Sequence, residues 1–317
     1  MATQPDIRIV MATYNGEPWL AEQLESLFSQ NEGRWKLVVR DDGSTDATVK
    51  ILQRWQEKYP ERITWYADNR RLGPARSFSE LMVANQSADY LFFCDQDDVW
   101  TADKLERGLA ALREMEQRFG AETPLLVHHD LTVCDRSLIP IADSFLKFQA
   151  LDPAKNGLSR LLLQNVVTGC TTGINRALAR KAGAVPESAI MHDWWLALVA
   201  TSFGQIRCLR DPGLIRYRIH GGNTCGTAER ALSWSHIRRR LTQKGGPSLQ
   251  ALLRPYYRQA QAFLERFQGE LSLQQTELVQ AFIALPRKSW LARRWTILRY
   301  GFWKQEWIRN IAWLLRA

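Results

Sequence analysis

The stretch YLFFCDQDDVW, residues 90–100, sets the reading of the whole chain. Tyr90 to Cys94 is an apolar run too short for a buried helix, and it breaks off into three carboxylates within four residues. That pattern reads as a buried strand whose end carries chemistry. In an extended chain, residues i and i+2 face the same side, so Asp95 and Asp97 converge on one point. Carboxylate oxygens are hard ligands suited to Mg²⁺ or Mn²⁺, ions that are commonly shared with substrate phosphates. The plainer alternative is a solvated turn in which Asp98 or Thr101 caps the next helix.

Working outward, the same grammar repeats. IRIVMAT (7–13), KLVVRDD (36–42), ITWYAD (63–68) and LLVHHD (125–130) read as further strands. Helical patterns separate them at 18–29, 46–58, 75–85 and 102–118. Strands alternating with helices predict βαβ units and a mostly parallel sheet. Ligands bind such sheets beyond the carboxyl ends of the strands. Thr13-Tyr14-Asn15, Asp41-Asp42, Asp68-Asn69 and Asp95 to Asp98 all fall there. The segment 131–156 reads as loop, 190–202 as a helix carrying His192-Asp193-Trp194-Trp195, and 213–220 as a strand. From about 228 the pattern turns helical, in pieces at 229–243, 248–268, 273–285 and 289–316.

The net charge of +9 is unevenly spread. Residues 227–317 hold 16 Lys and Arg against 5 Asp and Glu, whereas the first 226 hold 26 against 28. A basic C-terminal third points to an anionic partner, a membrane surface or nucleic acid. Five dispersed cysteines, Cys94, Cys134, Cys170, Cys208 and Cys225, with no CxxC, argue against a disulfide framework or zinc site and fit a reducing compartment. The N-terminus shows no secretory pattern and no run of about 18 apolar residues occurs, so a cytoplasmic chain at the inner face of a membrane is expected.

Seven motifs in order, MATYNG (11–16), RDDGSTD (40–46), NRRLGPARSF (69–78), FCDQDDVW (93–100), TGCTTGINR (168–176), HDWW (192–195) and RIHGGN (218–223), resemble those of the family 2 glycosyltransferases. Within that family the chain looks like the bacterial rhamnosyltransferases of surface polysaccharide assembly. The resemblance implies a GT-A fold, a Rossmann-like α/β domain with a mixed, mostly parallel sheet over residues 1–227, and a C-terminal helical extension over 228–317. It implies an inverting transfer of a sugar, L-rhamnose from dTDP-β-L-rhamnose or a hexose from a UDP-sugar, to a lipid-linked or lipopolysaccharide saccharide.

Site roles follow from the same resemblance. Thr13, Tyr14 and Asn15 frame the base, and Asp41 or Asp42 accepts its imide N–H. Arg76 stands near the diphosphate, or is simply solvated. Asp95 and Gln96 face the nucleotide sugar. Asp95 and Asp97 hold Mn²⁺ or Mg²⁺; His220 adds a ligand or merely hydrogen-bonds in its Gly-rich turn. Asp193 is the candidate general base, desolvated by Trp194 and Trp195. Trp194, Trp195 and Thr172 are expected at the acceptor, although adjacent residues on a helix face different ways, so one of the two Trp is expected in the core. His192 stands where Glu is common in relatives, and either assists the base or replaces a structural contact.

The tail 287–317 combines eight basic residues and five Trp with a single acid, Glu306, which suits a bilayer interface. Trp303, Trp307, Ile311 and Leu314 are the residues expected on its apolar side. A nucleic-acid-binding protein working through this tail is the competing reading. It leaves the acidic strand ends unexplained, so no nucleic-acid partner is expected.

Overall fold

The computed structural model describes residues 4–68, 70–210, 213–221, 249–306, 310–311 and 313–314. The expected helix at 229–243 lies outside these, as do Gly222 and Asn223 of the last motif, Cys225, Asn69 and Trp307. The chain groups into two compact units. One comprises 1–145, 167–185 and 191–220; the other comprises 146–166, 186–190 and 221–317. The sequence reading cuts the chain once, at 227/228, whereas in space two earlier segments group with the C-terminal third.

The first unit is built on a seven-stranded sheet. Its strands are β1 (Ile7–Thr13), β2 (Trp35–Asp41), β3 (Ile63–Ala67), β4 (Tyr90–Cys94), β6 (Leu125–His129), β9 (Gly173–Asn175) and β10 (Gln205–Leu209), in the order β10-β6-β9-β4-β1-β2-β3. The β1–β2, β1–β4, β2–β3 and β6–β10 pairs are parallel; β9 alone runs antiparallel to both its neighbours. Between the strands run helices α1 (Leu20–Phe28), α2 (Thr48–Lys58), α3 (Pro74–Ala84) and α4 (Lys104–Phe119). They form where apolar residues recur at helical spacing: Leu105, Leu109, Leu112 and Met115 of α4 are all buried. β1 and β4 are apolar almost throughout because both are interior strands covered on both faces.

A second, four-stranded sheet has the order β5-β11-β7-β8, with β5 (Val99–Trp100), β7 (Thr132–Cys134), β8 (Pro140–Ala142) and β11 (Ile215–Arg218). It corrects the reading of 131–156 as loop. Strands of two or three residues carry too short a pattern to show alternation. β11 pairs antiparallel with β5 and parallel with β7, which brings a late segment beside the acidic run at the end of β4.

The second unit contains helices Leu249–Arg266, Leu273–Ile283 and Trp290–Tyr300. Its core includes Phe263, Phe267, Phe282, Leu285, Ile297 and Phe302, each at most 2% exposed. Ser272 and Gln275 form a reciprocal capping box at the start of the second helix. The third helix corrects the expected unbroken span 289–316. It ends at Gly301, whose φ of +68° is the left-handed conformation that glycine adopts freely. Trp313 is buried, its indole donating to Phe302 O, and Trp303 is half-buried. Neither forms an exposed apolar face.

Candidate active site

The carboxyl ends of β1, β2 and β4 lie side by side, with Thr13 opposite Asp41 and Met11 opposite Cys94. The loops that leave them are laced by side chains. Gln96 clasps the main chain of Tyr14, accepting from its N–H and donating to its carbonyl, both at 2.9 Å. Asn15 takes the left-handed φ of +47°, accepts from Thr45 N through its side chain, and donates its own N–H to Ser44 Oγ. The Arg71 guanidinium lies 4.1 Å from the centre of the Tyr14 ring.

Asp41 is fully engaged. Its carboxylate accepts from Thr13 Oγ1, Gly43 N, Ser44 N and Ser44 Oγ. Asp42 accepts from Arg40 at 2.6 Å, Leu72 N, Gly73 N and Ser77 Oγ. Burial pushes the Asp42 carboxyl up, but the hydrogen bonds from Leu72 N, Arg40 and Gly73 N hold it below the usual range. A carboxylate has about four acceptor positions; Asp41 fills all four and Asp42 keeps one on Oδ2, so both aspartates chiefly build the loops around the expected base pocket. Arg76 is exposed on the first turn of α3.

At the end of β4 the chain packs three carboxylates against a fourth. Asp95 is raised to about 7, first by burial and then by the charges of Asp97 and Asp193. Asp98 is wholly buried and raised well above the ordinary value, by burial and by Asp97 and Asp95. One oxygen of Asp98 accepts from Arg218 N at 3.2 Å; the other is buried without a partner. Arg218, 2% exposed, donates from Nε to Asp97 O, from Nη2 to Glu22 at 2.6 Å, and from Nη1 to Arg136 O.

His220 lies two residues beyond Arg218. Its Nε2 is 2.8 Å from Asp97 Oδ2, and its ring stacks on Trp19 at 5.4 Å. The expected trio is therefore split: Asp97 is brought to His220, while ligand atoms of Asp95, Asp98 and Cys170 lie within 4.8 Å of one another. Burial raises the Cys170 thiol well above its usual value, so it stays protonated beside its acidic neighbours.

The antiparallel strand β9 explains how Cys170 arrives. Phe92 is opposite Gly173, so the residues before Gly173 run back along those after Phe92, and Phe93 N donates to Thr172 O. A Cβ on Gly173 would sit 2.5 Å from the Phe92 ring, which keeps that position glycine. Thr172 is wholly buried and its hydroxyl donates to Thr168 O, so it supports the site from inside rather than meeting an acceptor.

Asp193 lies in the first turn of helix His192–Phe203 and is 8% exposed. Burial raises it to about 7, against the lowering effect of hydrogen bonds from Trp194 N and Gly169 N. His192 is buried between the Phe78 and Phe93 rings, with centroids at 4.3 and 5.2 Å, and neither ring nitrogen has a partner. Burial lowers it to about 3. It is thus a neutral packing residue, which settles the alternative left open for it in favour of structure. Trp195 is wholly buried with its indole donating to Ala182 O; it is the core member of the pair and is corrected as an acceptor residue. Trp194 is 9% exposed.

Arg218, Cys170 and Trp19 have no role in the sequence reading. For Arg218 the signal was present, since strand alternation puts it on the side of His220. Cys170 and Trp19 depend on pairings that no local pattern shows.

With this geometry in view, the likenesses are informative. Residues 8–119 match the model of glycosyl transferase family 2. The chain is 38% identical over 105 residues to the dTDP-rhamnosyl transferase RfbG of Shigella flexneri, covering 32% of this chain and 36% of that protein. It is 27% identical over 221 residues to the putative teichuronic acid biosynthesis glycosyltransferase TuaG of Bacillus subtilis, covering 68% and 82%. The crystal structure of S. aureus TarS 1–349 in complex with UDP-GlcNAc superimposes with a TM-score of 0.59 at 13% identity, over 93% of this chain and 80% of that one. The fold is therefore GT-A. Over residues 8–119 the chain is similar to the family 2 glycosyl transferases. It spans about a third of the length of RfbG.

Proposed function

We propose that the chain is an inverting glycosyltransferase. In this reading it moves L-rhamnose from dTDP-β-L-rhamnose to a hydroxyl of a lipid-linked or lipopolysaccharide saccharide, at the inner membrane surface. The observation that carries the reading is the pair of buried carboxyls Asp193 and Asp95, each raised to about 7 chiefly by burial, with the Asp193 charge adding to the rise at Asp95. A base with its pKa near the working pH is suited to removing a hydroxyl proton. The attacking acceptor oxygen forms its bond to the anomeric carbon while its proton passes to Asp193. The bond from that carbon to the diphosphate oxygen breaks on the opposite face, and the nucleoside diphosphate leaves with the electron pair.

The donor set fits a divalent cation: a cluster of carboxylates that repel one another, and a buried Asp98 oxygen without a partner. Asp95 and Asp97 would hold Mn²⁺ or Mg²⁺, with Asp98 and His220 beside them. Such an ion, when bound, offsets the charge that develops on the departing diphosphate. Arg218 steadies the acidic loop from behind by bonding Asp97 O, and Gln96 ties that loop to Tyr14. The name of RfbG supports the rhamnosyl donor, and that of TuaG supports a surface polysaccharide as acceptor.

The test is thermal stabilisation by a panel of nucleotide sugars with and without Mn²⁺, on the parent and on Asp97→Ala. Stabilisation by dTDP-rhamnose that needs Mn²⁺ and is lost in Asp97→Ala is expected. Selective stabilisation by a UDP-sugar overturns the donor but keeps the reaction. No response to any nucleotide sugar overturns the reaction.

A further inference from the structure

Helix Trp290–Tyr300 is built inside out. Four of its large apolar residues point to solvent: Trp290 is 60% exposed, Leu291 72%, Trp295 58% and Leu298 58%. Its buried residues are Thr296 and Ile297. At about 100° per residue, Leu291, Trp295 and Leu298 fall within an arc of about 60°, bordered on one side by Arg294 and on the other by Arg299. Both arginines lie over indoles: Arg294 is 3.5 Å from the centre of the Trp290 ring and Arg299 is 5.0 Å from that of Trp295. On the opposite side, Arg293 turns inward and donates to Leu285 O and Lys288 O.

An apolar stripe that a soluble fold leaves exposed marks an interaction surface, and the chemistry here selects the partner. Indoles and leucines edged by guanidinium groups match the depth profile of a bilayer interface, with the rings at headgroup level and the cations against phosphate. The charge complements an anionic surface, since residues 227–317 carry 16 basic residues against 5 acidic. The helix has 11 residues, and no helix among the described residues is long and apolar enough to cross a membrane. We infer that this face lies flat in the headgroup region of an anionic leaflet, with Leu291, Trp295 and Leu298 inserted and Arg294 and Arg299 on lipid phosphates. The inference deepens the proposed function by naming the surface on which a lipid-linked acceptor is met. Of the stripe expected from sequence, Ile311 is exposed, Trp303 and Leu314 are half-buried, and Trp307 lies outside the described residues.

The test uses the full chain in flotation with vesicles of phosphatidylglycerol and phosphatidylcholine in equal parts, and with phosphatidylcholine alone. The parent floats with the anionic vesicles at moderate salt, not with the neutral ones, and its tryptophan emission shifts to the blue on binding. Both the triple variant Leu291→Ser, Trp295→Ser, Leu298→Ser and the double variant Arg294→Glu, Arg299→Glu lose affinity by at least about tenfold. Leu291, Trp295, Leu298 and Arg299 are exposed and Arg294 is half-buried, and retained nucleotide-sugar stabilisation shows that both variants are folded. Vesicle binding equal to the parent's in the triple variant overturns the inference. So does a triple variant that changes only the sedimentation coefficient, which makes the face a contact between copies, or loses only RNA binding. If no protein responds to nucleotide sugars while vesicle binding follows these residues, the reaction falls and the membrane face stands.

Discussion

Asp193 and His192 are neighbours in sequence and do opposite things. Asp193 sits at a helix start, where N–H groups favour the anion, yet burial holds it at about 7. At neutral pH it is poised between its two forms. Substituting Asn keeps the size and removes the base, so Asp193→Asn should lower kcat by about 10²- to 10⁴-fold with donor affinity intact. In the parent, the rate should rise with pH through about 7 as the carboxyl ionises. A steady-state pH profile on both proteins checks this, and a full rate in Asp193→Asn removes the residue from the chemistry.

His192 carries a different expectation. Its folded value is depressed to about 3, so it contributes stability that is present above its unfolded value and lost as pH falls below it. His192→Leu, similar in volume and free of the two unpaired nitrogens, should flatten the acid limb of the stability curve. The limit for one proton is about 1.4 kcal/mol per pH unit. Denaturant unfolding at several acidic pH values measures the slope. A slope equal to the parent's would mean that the imidazole is not the buried neutral group described.

Elements also meet closely at Gly204 and Gly16, where an added Cβ collides with a neighbour. A Cβ on Gly204, between helix His192–Phe203 and β10, would lie 1.8 Å from Pro124 O, which is backbone and itself accepts from Gln205 N. Gly204→Ala should therefore cost about 3 kcal/mol or more, read as a lower denaturation midpoint. Gly16 is different, because the atom in the way is the end of a side chain, Gln96 Oε1 at 2.3 Å. Gly16→Ala should cost less stability but break the clasp on Tyr14, weakening donor binding while the fold survives. Titration of nucleotide against both variants separates the two cases.

The elements also show what sequence can reveal. β1 to β4, β6 and the helices between them stand within a few residues of their expected ends, because long apolar runs and helical periodicity are local signals. β5, β7, β8 and β9 hold two or three residues each and owe their existence to partners distant in the chain. The site divides in the same way. Asp95 and Asp97 stand out in the sequence by type and position at a strand end, and Asp193 through the resemblance of the HDWW motif. The split between an Asp97–His220 pair and an Asp95–Asp98–Cys170 cluster depends on β9 and β11.

Over the whole molecule, charge is sorted. Basic residues concentrate in the C-terminal third, while the first unit gathers Asp95, Asp97, Asp98 and Asp193 at one point. Crowded carboxyls hold protons that an unfolded chain would release. Asp95 and Asp193, raised to about 7, bind a proton in the native state across the range from their unfolded values up to about 7. A divalent ion must displace those protons below 7 and need not above it. Its affinity should then rise with pH by up to about tenfold per unit for each proton displaced, levelling off above 7. At one fixed Mn²⁺ concentration the gain in melting temperature should be larger at about pH 8 than at about pH 6, since stabilisation grows with the ratio of free ion to Kd. The buried His128 and His192 titrate near 4 and 3, below this window, and do not distort the comparison. Lys104, lowered to about 7 by burial, feels the charge of Asp98, so a cation beside Asp98 also favours its neutral form and adds to the rise in affinity with pH. An equal gain at both pH values would mean that the ion binds elsewhere, and the acidic loop would then be a proton-sharing structure rather than a cation site.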